Sequence, residues 1–136
     1  MEQSYESLLS ELLREAAQEL DEKGTTTSRP ERDRQAVRIG IGRLKLEALC
    51  RETRQRHGTP WAPLEKLEAA QYLAMKKYGW TIEYARGISR DDLMFALAEE
   101  LYAFQLPEDA RFAARIWAGN QGLWGELKEH LDSPEQ

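Results

Sequence analysis

VRIGIGRLKLEALCRETRQRHG, residues 37–58, admits two readings, and the choice between them decides the fold. As a strand, Val37, Ile39 and Ile41 alternate with Arg38, Gly40 and Gly42, the period-two pattern of a short edge strand. As a helix, Val37, Ile41, Leu44 and Ala48 line one face, with Ile39, Leu46 and Cys50 beside it. Two interior glycines cost a helix about 1 kcal/mol each relative to alanine. Against that, residues 44–58 are rich in strong helix formers and end in a glycine stop. The balance favours a helix over 31–57, with Gly40 and Gly42 marking a kink or the close approach of a neighbouring element.

The flanking segments follow the same helical period. Tyr5, Leu8, Leu9, Leu12, Ala16 and Leu20 recur at steps of three and four, which predicts a helix over 4–23 capped by Ser4 and stopped by Gly24. A turn-rich loop, GTTTSRP, fills 24–30. Pro63 suits the first position of a third helix running to Tyr78, with Leu64, Leu67, Ala70 or Gln71, and Ala74 inward. Thr81 caps a short turn that stops at Gly87. Ser89 with Asp92 reads as a near capping box and opens a helix over 90–105, with Leu93, Leu97, Leu101 and Phe104 inward. Pro107-Glu108-Asp109 starts the last stretch, in which Phe112, Ile116, Leu123, Leu127 and Leu131 keep the period and Gly119-Asn120 marks a possible break. The tail 133–136 reads as frayed. Short connections between such helices predict an all-α fold, a compact single-domain bundle of about five mostly antiparallel helices over 1–136. Its parts are an acidic helix 4–23, a basic helix 31–57 and C-terminal helices within 63–132.

Composition narrows the function classes. At 136 residues, 41% hydrophobic and 32% charged, the chain is long enough for one core and too apolar to be disordered. A membrane span needs roughly 20 consecutive apolar residues, and no such run occurs. The acidic, amphipathic start is unlike a secretory signal, so a cytoplasmic location is expected. Cys50 is the only cysteine and fits a small core hydrophobe.

Charge is segregated along the chain. Residues 1–28 hold seven acids and two bases, residues 29–57 nine bases and four acids, and residues 58–136 thirteen acids and eight bases. The basic block is Arg29, Arg32, Arg34, Arg38, Arg43, Lys45, Arg51, Arg54 and Arg56. Eight arginines to one lysine suit bidentate contacts with carboxylate or phosphate. One reading packs this helix antiparallel to the acidic first helix, pairing its arginines with Glu6, Glu11, Glu15 and Glu19. The other presents Arg38, Arg43, Arg51, Arg54 and Arg56 to an acidic protein partner or to nucleic acid. A sequence pI near 5.2 weighs against nucleic acid, as does the lack of aromatic residues within the block.

Chemistry is sparse by inventory. His57 and His130 are the only histidines, and Glu126 with His130 makes one i, i+4 ligand pair rather than a metal site. GIGRLK, residues 40–45, lacks the phosphate-loop pattern, and no nucleophile elbow occurs. Asp91-Asp92 and Glu99-Glu100 are adjacent, so each pair diverges by about 100° around a helix. No enzyme activity, cofactor or metal is expected. Thr81–Phe95 could outline a helix-turn-helix, but Asp91 and Asp92 would face phosphates, and an αα-corner fits better.

The four tryptophans carry more information. Trp61, Trp80, Trp117 and Trp124 suit either core packing or an interface, and the seven-residue spacing of Trp117 and Trp124 places them on one helical face. Tyr78-Gly79-Trp80, Ile82, Ile88-Ser89 and Asp92-Leu93 resemble a short pattern in small phage tail-assembly proteins; the likeness spans about sixteen residues, holds no catalytic motif and assigns no residue a role. The resulting expectation is a non-enzymatic helical protein–protein interaction module, such as a regulator, adaptor, chaperone or inhibitor, with a nucleic-acid-associated regulator as the alternative. Its partner would be a protein with an acidic or apolar surface, or a second copy of the chain, meeting the arginine face and the Trp117–Trp124 strip.

Overall fold

The structure, a computed structural model, describes residues 2–24 and 28–132. Eight helices occur among them: α1 Tyr5–Lys23, α2 Arg29–His57, α3 Glu68–Tyr78, α4 Ile82–Arg86, α5 Arg90–Ala96, α6 Ala98–Ala103, α7 Glu108–Asn120 and α8 Trp124–Leu131. An isolated bridge between Thr59 and Ala62 is the sole β pairing among the described residues. The all-α class is therefore the observed one. Thr25–Thr27 of the expected loop and the expected frayed tail 133–136 lie outside the described residues.

The ambiguous stretch is helical throughout. Ser28 starts α2, its hydroxyl accepting from the Glu31 N–H at 3.2 Å, and the Gly58 N–H closes the last turn on the Arg54 carbonyl at 2.8 Å. Gly40 has a clear reason to lack a side chain. A Cβ there would lie 2.6 Å from Leu13 Cδ2 and 3.6 Å from the Leu13 Cα. α1 and α2 thus approach closely at this point, which outweighs the helix penalty of the glycine. Gly40→Val is expected to cost about 2 kcal/mol by overpacking. Leu13→Ala should relieve part of that loss, which a denaturant double-mutant cycle would read as non-additivity.

The chain divides into two compact units, one of residues 1–44 and 105–136, the other of residues 45–104. In the first, α1 is bounded as its caps require. Ser4 accepts from the Ser7 N–H at 3.2 Å, and Gly24 ends the helix at φ 63°. Its buried stripe is Leu8, Leu9, Leu12, Leu13, Ala16 and Leu20. Ala16 and Leu20 meet Ala36 of α2, with Ala17 and Ile39 at the margin. α7 packs on α1 and on α8. It does so through Ala110, Ala113, Ala114 and Ala118, whereas Phe112 and Ile116, expected inward, are 64% and 50% exposed. A row of alanines lets two helices approach more closely than Phe or Ile would, and the larger residues are turned outward.

In the second unit, Leu46 and Cys50 of α2 join Ala69, Ala70 and Ala74 of α3 and Leu93, Leu97 and Leu101 in one core, with Trp80, Ile88 and Met94 packed against it. α3 begins at Glu68, five residues after the expected Pro63. Leu64 and Lys66 adopt left-handed backbone at φ 58° and 54°, which no helix accommodates. The Leu64 carbonyl instead accepts from Arg54 Nε at 3.1 Å, and the Glu68 carboxylate reaches back to the Glu65 N–H at 3.1 Å. Thr81 and Ser89 cap α4 and α5 as expected, their hydroxyls accepting from the Tyr84 and Asp92 N–H groups at 3.2 Å. The expected helix 90–105 is interrupted at Leu97, whose φ −105°, ψ 22° separates α5 from α6. No helix among the described residues is long and apolar enough to cross a membrane.

Candidate functional site

The arginines expected to meet a partner meet the chain itself. Arg43 is 5% exposed and forms a fork on Glu19, with Nη1 at 2.7 Å from Oε2 and Nη2 at 2.9 Å from Oε1. Glu15 accepts from the same guanidinium at 3.3 Å. Arg32 donates to Asp21 at 2.9 Å. Two carboxylates of the acidic helix expected to pair, Glu15 and Glu19, therefore do so, and Asp21 joins them. Arg38 donates to Glu126 of α8 at 2.8 Å and to Gln35 at 3.0 Å; the Glu126 contact holds its guanidinium more firmly protonated than usual. Arg54 is committed to the Leu64 carbonyl, and Arg56 pairs with Glu52 one turn back at 2.9 Å. Arg51 is half-buried and also interacts within the chain.

Trp117 and Trp124, expected on one helical face, belong to different helices. α7 ends at Asn120 and α8 begins at Trp124, with Gly122 between them at φ 69°. A break between residues seven apart removes the helical phase that would align them. Trp117 is half-buried on α7 beside a shallow hollow with Arg29 and Arg32, and Trp124 opens α8.

His57 is exposed and lies 5.6 Å from the Tyr72 ring, and His130 Nε2 sits 3.5 Å from Glu129. No group of three or more His, Cys, Asp or Glu side chains able to hold a metal ion occurs among the described residues. Cys50 is fully buried, and desolvation pushes its thiol up to about 11, with nearby Glu47 adding to the effect. Ellman's reagent at pH 8 should accordingly find no reactive thiol until denaturant is added. The pH dependence follows from the same shift. The unfolded thiol ionises near 9.0 and the folded one near 11, so the unfolded chain loses its proton first as pH rises. Stability from this group is whole below pH 9 and falls by roughly 2–3 kcal/mol by the time the folded thiol ionises. Cys50→Ala should flatten that alkaline slope in thermal melts.

A feature the sequence reading missed lies between α3 and α4. Leu64, Tyr72, Met75, Ile82 and Ala85 line a half-open groove with a cavity volume of about 170 Å³, edged by Glu68, Gln71 and Arg86. Gln71 fixes its far wall by donating through Nε2 to the carbonyls of Arg86 and Ile88, both at 3.1 Å. The groove exists because α3 turns Ala69, Ala70 and Ala74 to the core and leaves Tyr72 and Met75 on its flank. Tyr78 stacks on Trp80 at 4.9 Å, and Tyr84 meets the other ring edge at 5.0 Å. The Tyr78 hydroxyl donates to the Ala96 carbonyl at 2.7 Å, so this aromatic corner braces α3 and α4 against α5. The pairing of a Gly79 stop with a Thr81 cap was the available signal, since it forces two helices into a tight corner.

Geometrically the groove offers one apolar seat for a ring-sized side chain, since an apolar cavity of roughly 150 Å³ can hold benzene. Comparison with protein-family models, with curated proteins and with solved structures finds no match to this chain.

Proposed function

We propose that the protein is a non-enzymatic helical interaction module that seats an apolar side chain of a protein partner in the α3–α4 groove. One observation carries the reading: a preformed apolar groove whose outer lip, Ile82, is 60% exposed. A pocket that is built before binding avoids the ordering cost that weakens flexible surfaces. A buried aromatic or aliphatic anchor supplies the large contributions found at interface hot spots. The pairing of Arg32, Arg38, Arg43 and Arg56 with the chain's own carboxylates leaves less positive charge for phosphate, which disfavours a nucleic-acid role. Such a module would work in the cytoplasm, where Cys50 stays reduced.

A photocrosslinking residue placed at position 82 in the native host should trap a defined protein. The purified partner is then expected to bind Ile82→Glu at least about tenfold more weakly than wild type. Ile82 is exposed, so the variant should keep its helical circular dichroism and its melting temperature. A trapped protein whose affinity ignores Ile82→Glu would remove the groove from the function.

A further inference from the structure

The negative charge of this protein belongs to one unit. Residues 1–44 and 105–136 hold fifteen acids and ten bases, whereas residues 45–104 hold nine of each. The whole formal charge of −5 therefore sits on the unit built from α1, the first half of α2, α7 and α8. Within it, the bases are largely occupied: Arg32, Arg34, Arg38 and Arg43 pair with carboxylates, and Arg111 and Arg115 donate to the carbonyls of Leu106 and Leu131. Several acids are not so occupied. Glu6 and Glu11 on α1 and Glu108 on α7 have no basic partner among the described residues.

These acids border an apolar face. Tyr5 of α1 and Phe112 and Ala113 of α7 lie in a shallow hollow of about 630 Å³ with Ser4, Glu6, Glu108 and Asp109 at its edge. Ile116 is one turn beyond Phe112 on α7, and both are at least half exposed because the alanines of α7 do the packing. Acids in the first turn of α7 are favourable for that helix, which accounts for Glu108 and Asp109 locally. It does not account for Phe112 and Ile116, two large apolar side chains left in water next to unpaired carboxylates.

We infer that this face docks a basic, amphipathic helix of a protein partner, with Phe112 and Ile116 as apolar anchors and Glu6, Glu108 and Asp109 receiving its lysines or arginines. The occupant follows from charge. An acidic partner would meet a −5 unit, and a second copy of the chain would bring the same acidic face, since its basic helix is already paired internally. Opposite charge at the rim speeds encounter and selects the partner, while the apolar floor sets how long it stays. The site goes beyond the α3–α4 groove and uses none of its residues, so either can fail alone.

The full-length chain titrated with a fluorescent Lys/Leu amphipathic helical peptide at low salt tests it. The expected result is saturable binding, with amide shifts at Tyr5, Phe112 and Ile116, that weakens as salt rises. Phe112→Ser with Ile116→Ser should weaken binding at least about tenfold. Glu6→Lys with Glu108→Lys should do the same, while Glu83→Lys with Glu99→Lys, the same change of net charge on exposed sites of the other unit, should not. All four positions are exposed, so the variants should fold. An absence of binding, equal loss from both charge reversals, or equal binding of a Glu/Leu peptide of the same pattern would overturn the inference. Loss of partner binding in Ile82→Glu would bear on the groove alone.

Discussion

Leu97→Ala is expected to lower stability by about 3 kcal/mol, although it replaces a residue at a helix break with the best helix former. The two effects oppose each other, and their sizes decide the sign. Alanine gains at most a few tenths of a kcal/mol in helix propensity over leucine. Leu97 is fully buried among Leu46, Cys50, Leu93 and Leu101, and deleting its side chain opens a cavity in a core already rich in alanine. Ala69, Ala70 and Ala74 have no side-chain atoms with which to fill it, so the site can collapse only by moving helices. The loss should appear in urea unfolding as a lower midpoint at constant slope. An unchanged midpoint would mean that the second unit is loosely packed.

Glu19→Ala should destabilise more than Arg43→Met, by about 2 kcal/mol against 1 kcal/mol or less. The reason is an asymmetry of burial within the pair. The Arg43 side chain is 6% exposed and that of Glu19 36%. Removing the carboxylate takes the two-pronged partner from a buried guanidinium and leaves it the longer Glu15 contact, whereas removing the guanidinium leaves two carboxylates that water can reach. Methionine, unbranched and flexible, also refills much of the vacated volume. Chemical denaturation of both single variants checks the order, and a larger loss in Arg43→Met would show that the cation is not the buried partner.

The helices were legible where local chemistry and burial agree. Ser4, Thr81 and Ser89 cap, and Gly24 and Gly79 stop, as their types require, and Leu8, Leu12 and Leu20 face inward because α1 has a single apolar stripe. Gly40 was legible as a close approach, though its neighbour, Leu13, was not. The misreadings have separable physical causes. On α7 the periodicity of Phe112 and Ile116 outvoted Ala110, Ala113, Ala114 and Ala118, yet close helix packing selects small residues. On α3 the small Ala70 and Ala74 were placed inward, but the flank that Tyr72 and Met75 form outside that stripe carries no signal of its own in the periodicity. Pro63 failed as a helix start because the Arg54–Leu64 contact and two left-handed residues use that segment as a loop. Opposite charges on α1 and α2 were visible in composition, but the choice of Glu15, Glu19 and Asp21 over Glu6 and Glu11 depends on the register of the two helices.

The preference for a protein over nucleic acid, and for a basic partner over a second copy, depends on α2 turning its arginines toward the chain's own carboxylates and carbonyls. The most direct measurement is the anisotropy of a labelled nonspecific DNA duplex titrated with the full chain at low salt. No rise is expected at protein concentrations that saturate the Lys/Leu peptide. A duplex isotherm that strengthens as salt falls, and that vanishes when Arg51, Arg54 and Arg56 are changed to Glu, would contradict it.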